Sequence, residues 1–310
     1  MQTHEFEPMS IGRILDRTFN IYKNNFVRFI TIVAIIQVPI ALLMTISTTF
    51  MQRSIPVREH TGFEQMEQYA EQNPEYIDIE EIRTEFEEAS EDEPDATVLI
   101  LGGIGIAIGG ILGILGHNLC RGALTKNVSE FYLGREMTVG QAYRYIWPKF
   151  LTLIAAGLLV GIVVWFGFML LIVPGVIFSL WFALTIPVIV VEDAKVTQGM
   201  SRSKFLASGN LGKIFAVGFL VLAISWVVNI PFSFAGGFIG HLLFSNNTIL
   251  MNFTNQFASV IGQILVVPIG AIAYILLYYD LRIRKEGFDL QMLAESIGSG
   301  QGDMNANQPQ

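Results

Sequence analysis

The side chains able to do chemistry in this 310-residue chain are few, and they border apolar runs rather than occupy them. His117, Glu192, Asp193 and Asp280 each fall where such a run gives way to polar sequence, at its cytoplasmic end. No run of about 20 residues carries an ionisable group in its interior, where one would be costly and usually functional. This pattern weighs against a proton-coupled pump or a voltage sensor and leaves room for a carrier of an apolar or lipid-like solute. Uncharged polar groups and helix breakers do occur inside the runs: Gln37 with Pro39, Pro187, Asn229 with Pro231, and Gln263 with Pro268. Each proline frees a backbone carbonyl that a neighbour must satisfy. Such groups either build a broken-helix binding site near the midplane or serve as kinks and interhelical hydrogen bonds, the second use being the ordinary one.

The motif-like fragments do not assemble into sites. Ser208 to Lys213 ends in Gly-Lys but lacks the first glycine at phosphate-loop spacing and follows no strand. His117 and Cys120 lie three apart on one helix face, yet two ligands do not make a zinc site. The four histidines form no HExxH, and Cys120, the single cysteine, reads as a small apolar residue at a helix end. No catalytic, metal-binding or cofactor-binding residue is identified, and no cofactor is implied.

The elements that carry these residues are membrane spans. The chain is 52% hydrophobic and 15% charged. A soluble domain normally carries about 25% charged residues. The expected fold is all-α: a polytopic membrane bundle of about six transmembrane helices with amphipathic helices at the cytoplasmic interface. The spans are placed at 29–50, 98–115, 150–172, 176–191, 214–234 and 258–279, with the third and fourth joined by a tight reversal at Pro174-Gly175. The membrane domain occupies 29–285. Residues 1–28 form a cytoplasmic amphipathic helix capped by Ser10, with Ile11, Ile14, Leu15, Phe19, Tyr22 and Phe26 on its apolar stripe. The first run is expected to stay as an anchor, since no small-residue cleavage site follows it.

Basic residues orient the spans. The segments 1–28, 117–149, 192–213 and 280–310 hold 16 of the 19 Lys and Arg, which puts both ends in the cytosol and the loop 52–96 outside. That loop concentrates the acidic residues and reads as a solvated, partly disordered segment; the tail 286–310 reads as flexible. The lack of a basic patch with interleaved aromatics argues against nucleic acid. Thr138 to Gln141 has the form of a capping box before the third span. Val196–Leu206, ended by Gly209, precedes the fifth, so the chain reads as three units of amphipathic helix plus membrane hairpin. Gly105, Gly109, Gly113, Gly157 and Gly161 are candidates for close helix packing, within the molecule or at a dimer seam.

Ile11–Phe26, Ala123–Arg144, Ile172–Asp193 and Tyr278–Leu290 resemble the bacterial six-span proteins grouped around the membrane domain of glycerophosphodiester phosphodiesterases. In those two-part enzymes the catalysis belongs to a separate soluble barrel, and nothing here has its length or residues. The resemblance therefore implies the membrane part alone and no hydrolase activity. The resembling segments contain Asp16, Arg17, Glu130, Arg144, Arg202, Asp280 and Arg282, expected either to pair and fix the interfacial helices or to stay solvated. The expected role is non-enzymatic: a scaffold, assembly or regulatory component at the inner face of the cytoplasmic membrane. The expected partners are membrane lipids and another membrane or cytoplasmic protein. The alternative is a carrier or permease for a lipid-like or small apolar solute.

Overall fold

The computed structural model describes residues 8–53, 96–245 and 247–287; nearly all of the acidic loop and the tail after Gly287 lie outside them. Every regular element among the described residues is helical. In chain order the α-helices are α1 (Ile11–Asn24), α2 (Phe26–Arg53), α3 (Ala96–Tyr132), α4 (Val139–Ile146), α5 (Phe150–Leu170), α6 (Ile172–Phe182), α7 (Thr185–Glu192), α8 (Val196–Ala207), α9 (Leu211–Phe244) and α10 (Thr248–Glu286), with a 3-10 turn at Trp147–Lys149 joining α4 to α5. Six spans are long and apolar enough to cross a membrane: Phe26–Met51, Ala96–Tyr132, Val139–Leu170, Ile172–Glu192, Leu211–Phe244 and Ile249–Glu286. The chain is a multi-pass membrane protein with an all-helical bundle fold.

The short helices begin where their capping residues dictate. Ser10 Oγ accepts from Arg13 N–H at the start of α1. Thr138 and Gln141 exchange side-chain and backbone bonds as a capping box before α4. Gly209, after α8, has a positive φ of 82°. That left-handed conformation suits glycine, which has no Cβ to clash. The order short helix then hairpin occurs three times: α1 before α2–α3, α4 before α5–α7, and α8 before α9–α10. On α1 the buried positions are Ile14, Thr18 and Ile21, while Phe19 of the expected stripe is 45% exposed.

The core collects at one end. Its members include Ile14 and Ile21 of α1, Phe29, Ile32 and Val33 of α2, Cys120, Ala123, Leu124 and Val128 of α3, Ile186, Val188, Ile189 and Val190 of α7, and Ile272, Ala273, Leu276, Tyr278, Tyr279 and Leu281 of α10. This is also where the described Lys and Arg gather, and we call it the basic end. Toward the other end the apolar side chains face outward, among them Ile46, Ile111, Trp165, Phe166, Trp226 and Phe238. Lipid solvates such side chains as well as protein does, so burying them there gains little.

The reversal between the third and fourth spans is not at Pro174-Gly175. Leu171 is the break, with φ −166° and ψ 157°, and Ile172 already begins α6. Pro174 falls in the first turn of α6, where its missing N–H has no helical acceptor to forgo. Gly175 lies where α5 and α6 cross: a Cβ on Gly167 would come within 3.0 Å of its Cα. The fourth span is then interrupted at Ala183-Leu184, one turn before Pro187. Ser203 of α8 repairs this break, its hydroxyl accepting from Leu184 N–H (3.1 Å) and donating to the Trp181 carbonyl (2.7 Å).

Two of the expected glycines of α3 serve packing inside the molecule. A Cβ on Gly105 would overlap Ser47 and one on Gly109 would overlap Met44, both of α2, whereas Gly113 clears Ile40 by 3.9 Å. Gly157 of α5 sits against Asn118, but Gly161 faces open space and packs against nothing within 4 Å. α9 and α10 approach closely at glycines outside the expected set: a Cβ on Gly236 would come within 2.9 Å of the Asn255 Cα, and one on Gly240 within 2.9 Å of the Met251 carbonyl oxygen. Gly240→Leu is therefore expected to lower stability in detergent by about 1–3 kcal/mol, read as a fall in thermal midpoint, while Gly161→Leu leaves the midpoint in place. Ser203→Ala is expected to cost about 1–3 kcal/mol by orphaning buried backbone groups, measured the same way.

Candidate functional site at the basic end

Asp280, on α10, is fully buried, and its carboxylate is used from three directions. Lys213, from the first turn of α9, forms an ion pair with Oδ2. Arg284, one turn further along α10, donates Nε–H to the same oxygen at 3.0 Å. The backbone N–H of Met9 donates to Oδ1 at 2.6 Å. Both cations also reach the Met9 carbonyl, Lys213 at 2.6 Å and Arg284 at 3.0 Å. The residue before Ser10 is thus held at both backbone groups with its side chain buried, which fixes where α1 begins.

A second network joins α7, α8 and α10. Arg202 of α8 donates Nε–H to Glu192 Oε2 at 2.9 Å and an NH2 proton to Glu286 Oε2 at 2.7 Å. Arg282 reaches Glu286 at 3.3 Å and the Tyr278 hydroxyl at 3.1 Å. Tyr278 donates its own proton to Glu192 Oε1 at 2.8 Å. Burial works against the Arg202 charge, but the hydrogen bonds to Glu286 and Glu192 outweigh it and hold this guanidinium above its ordinary range.

Aromatic rings link the remaining helices. The Arg17 guanidinium lies 4.6 Å above the Tyr132 ring, which stacks on Tyr279 at 4.9 Å. The Tyr279 hydroxyl meets Ser129 Oγ at 2.6 Å, bridging α3 and α10. Lys126 pairs with Glu130 at 2.5 Å and sits over the Tyr145 ring of α4. Lys149 donates to the Tyr145 hydroxyl at 2.8 Å and pairs with Asp193 at 2.8 Å. Tyr22, its phenol pushed up by burial, donates to the Leu265 carbonyl at 2.9 Å and pins α1 across α10.

Comparison with protein-family models, curated proteins and solved structures finds no match. The geometry of this end therefore carries the functional reading. Of the seven charged residues picked from the sequence, Arg17, Glu130, Arg202, Asp280 and Arg282 take part in these contacts. Asp16 and Arg144 do not: both are exposed, on faces of α1 and α4 that turn away from the core. The sequence pattern does not mark Lys213, 67 residues from Asp280, or Glu286, whose tie to Arg202 spans 84 residues, or Met9, whose contribution is mostly backbone.

It also misplaced His117. α3 continues unbroken to Tyr132, and Gly116 packs against Ile36 and Ile40, near the middle of α2. His117 is thus level with the interior of a span, and Arg121 follows one turn later. Among the described residues Arg121 makes no ion pair and no side-chain hydrogen bond. The network makes a clear claim about stability: Asp280→Ala strands two cations beside a buried backbone segment and is expected to cost about 3–5 kcal/mol, seen as a large drop in thermal midpoint in detergent. Asp16→Ala is expected to leave the midpoint unchanged, and equal midpoints for the two variants would refute the assignment.

Proposed function

We propose that the chain is a non-enzymatic component of the cytoplasmic membrane, acting as a scaffold, assembly or regulatory partner at the inner face, with the basic end in the cytosol. The carrying observation is how the polar chemistry of that end is spent. Among the described residues, Asp280, Glu192 and Glu286 are spent on binding helix to helix. Two buried hydroxyls of this end serve packing: Ser203 bridges backbone groups and Ser129 meets Tyr279. The outer surface of this end offers Asp16 on α1, Arg144 on α4, and Gln198, Ser201 and Lys204 on α8, all exposed, to other molecules. The excess of Lys and Arg at this end supports its cytosolic placement. The likeness to the membrane part of glycerophosphodiester phosphodiesterases belongs to the same reading.

A carrier is the second reading, and one observation favours it. Asn255, Gln256 and Gln263 are exposed on one side of α10 within an apolar span, with Ser259 between them. Amides at that depth suit a polar path better than lipid.

Two measurements test the proposal. With Cys120 replaced by Ala, an Arg144→Cys variant should react with a membrane-impermeant maleimide only after the cytosolic side is opened; labelling of intact cells would reverse the orientation. Crosslinked and solubilised membranes should yield a partner protein at fixed stoichiometry, lost when Asp16→Lys and Arg144→Glu are combined without loss of stability. Solute flux in proteoliposomes containing this chain alone would replace the scaffold by the carrier.

A further inference from the structure

Two glutamines of α10 have amides with nothing to bond to. Gln256 and Gln263 are exposed, and among the described residues neither makes a side-chain hydrogen bond. They lie seven and fourteen residues past Ile249, where this span begins. At about 1.5 Å per residue they are about 10 and 21 Å along the helix from its hairpin end. Leu242, Leu243 and Leu250 are exposed at that end itself, so the apolar belt begins there and both glutamines fall within its depth of about 30 Å. Ser225, Asn229 and Ser259 of the same hairpin are settled inside it. Ser225 donates to the Val221 carbonyl at 2.7 Å, Asn229 Nδ2 to the Ser225 carbonyl at 2.8 Å, and Ser259 to the Asn255 carbonyl at 2.9 Å. An amide facing acyl chains finds neither donor nor acceptor there, which is costly.

The spacing says what could meet them. Asn252, Gln256, Ser259 and Gln263 follow one another by four, three and four residues, the a/d rhythm of helices packed side by side. At about 100° per residue all four fall within about 60° of the helix circumference. This is not the row that α9 uses. Gly240 and Gly236 of α9 press on Met251, Asn255 and Ala258, and Asn229 lies against Gly262, each member one residue earlier. The glutamine row is therefore turned about 100° from α9. Phe253 and Phe257, stacked at 6.2 Å and exposed, border it on the side away from α9. An amide carries both a donor and an acceptor, so it is complementary to another amide. Two copies of a chain cross a bilayer in the same orientation, so a two-fold axis relating them runs along the membrane normal and brings each seam residue to its own counterpart at equal depth.

We propose that this row is the interface with a second copy of the chain, in which paired glutamine amides hold α10 against α10. Gln256 meets the Gln256 of the second copy and Gln263 its Gln263, each pair closing N–H···O bonds that lipid cannot supply. The dimer goes beyond the scaffold reading and is tested apart from it; it sets two basic ends side by side on one face of the membrane. The same amides are what favours a carrier. A row at packing rhythm with an aromatic border suits a helix partner better than a solute path, and the experiment separates the two.

The test uses the full chain in liposomes. Energy transfer between copies carrying different fluorophores at the C-terminus should reveal dimers that dissociate on dilution into lipid. Gln256→Leu combined with Gln263→Leu should raise the dissociation constant about tenfold or more, the factor that corresponds to about 1.4 kcal/mol. Phe238→Leu, at an exposed position of α9, should leave it unchanged. Leucine suits a lipid-facing helix position, and an unchanged thermal midpoint in detergent confirms that the double variant is folded. With Cys120 replaced by Ala, Gln256→Cys, which keeps the Gln263 pair, should form a disulfide-linked dimer on mild oxidation, and Phe238→Cys should not. Energy transfer unaffected by the folded double variant would overturn the proposal, whatever the crosslink yields. So would monomers at every dilution with a solute flux that the double variant abolishes, since the amides would then line a path. A crosslink from Gln256→Cys to a different protein in native membranes, with none to itself, would overturn it too.

Discussion

Asp280 is the group on which the basic end depends. A carboxylate with no exposure is tolerable only when its charge is matched and its oxygens are bonded. Here the match comes from Lys213 at the start of α9 and Arg284 on α10, and the bonding is completed by the backbone of Met9. Three parts of the chain more than sixty residues apart in sequence are thereby held to one point. The second network, around Glu192, Arg202 and Glu286, adds α7 and α8 to α10 by the same logic. The long helix α10 is common to both, and from Ile272 to Leu281 every residue but Tyr274 is buried, while the other spans are mostly bare.

This division of labour follows from the solvent. In water, apolar burial would draw the helices together along their whole length. In a bilayer that drive is absent, so contact must come from close backbone approach, hydrogen bonds and charge. The molecule uses glycine contacts where two helices of one hairpin run side by side, as at Gly105 with Ser47 and Gly240 with Met251. It uses charge and phenol hydroxyls where hairpins meet.

The spans were legible in the sequence because length and charge depletion report directly on the membrane. The caps at Ser10 and Thr138 and the stop at Gly209 were legible because each depends on residues a few positions apart. The reversal was misread because Pro-Gly is also compatible with the first turn of a helix, and nothing local distinguishes the two. Asp280 was recognisable as a charged residue beside a span, but its partners were not, since Lys213 and Met9 lie in other elements. Arg121 escaped notice for a different reason. Hydropathy ends the second span near Leu115, whereas the helix continues for seventeen residues more, so depth along α3 cannot be judged from composition.

The fourth span has a consequence for how the protein is made. α6 has eleven residues. At about 1.5 Å per residue that is about 17 Å of helix, which cannot reach across a hydrocarbon layer of about 30 Å. Its continuation α7 is joined to it through a gap whose freed amide and carbonyl are satisfied by a hydroxyl from α8. The ribosome delivers that hydroxyl only after both halves have emerged. The segment must therefore wait at the translocon, or leave it incompletely bonded, until the chain behind it folds back, which makes the nascent protein's order of assembly partly the reverse of its order of synthesis.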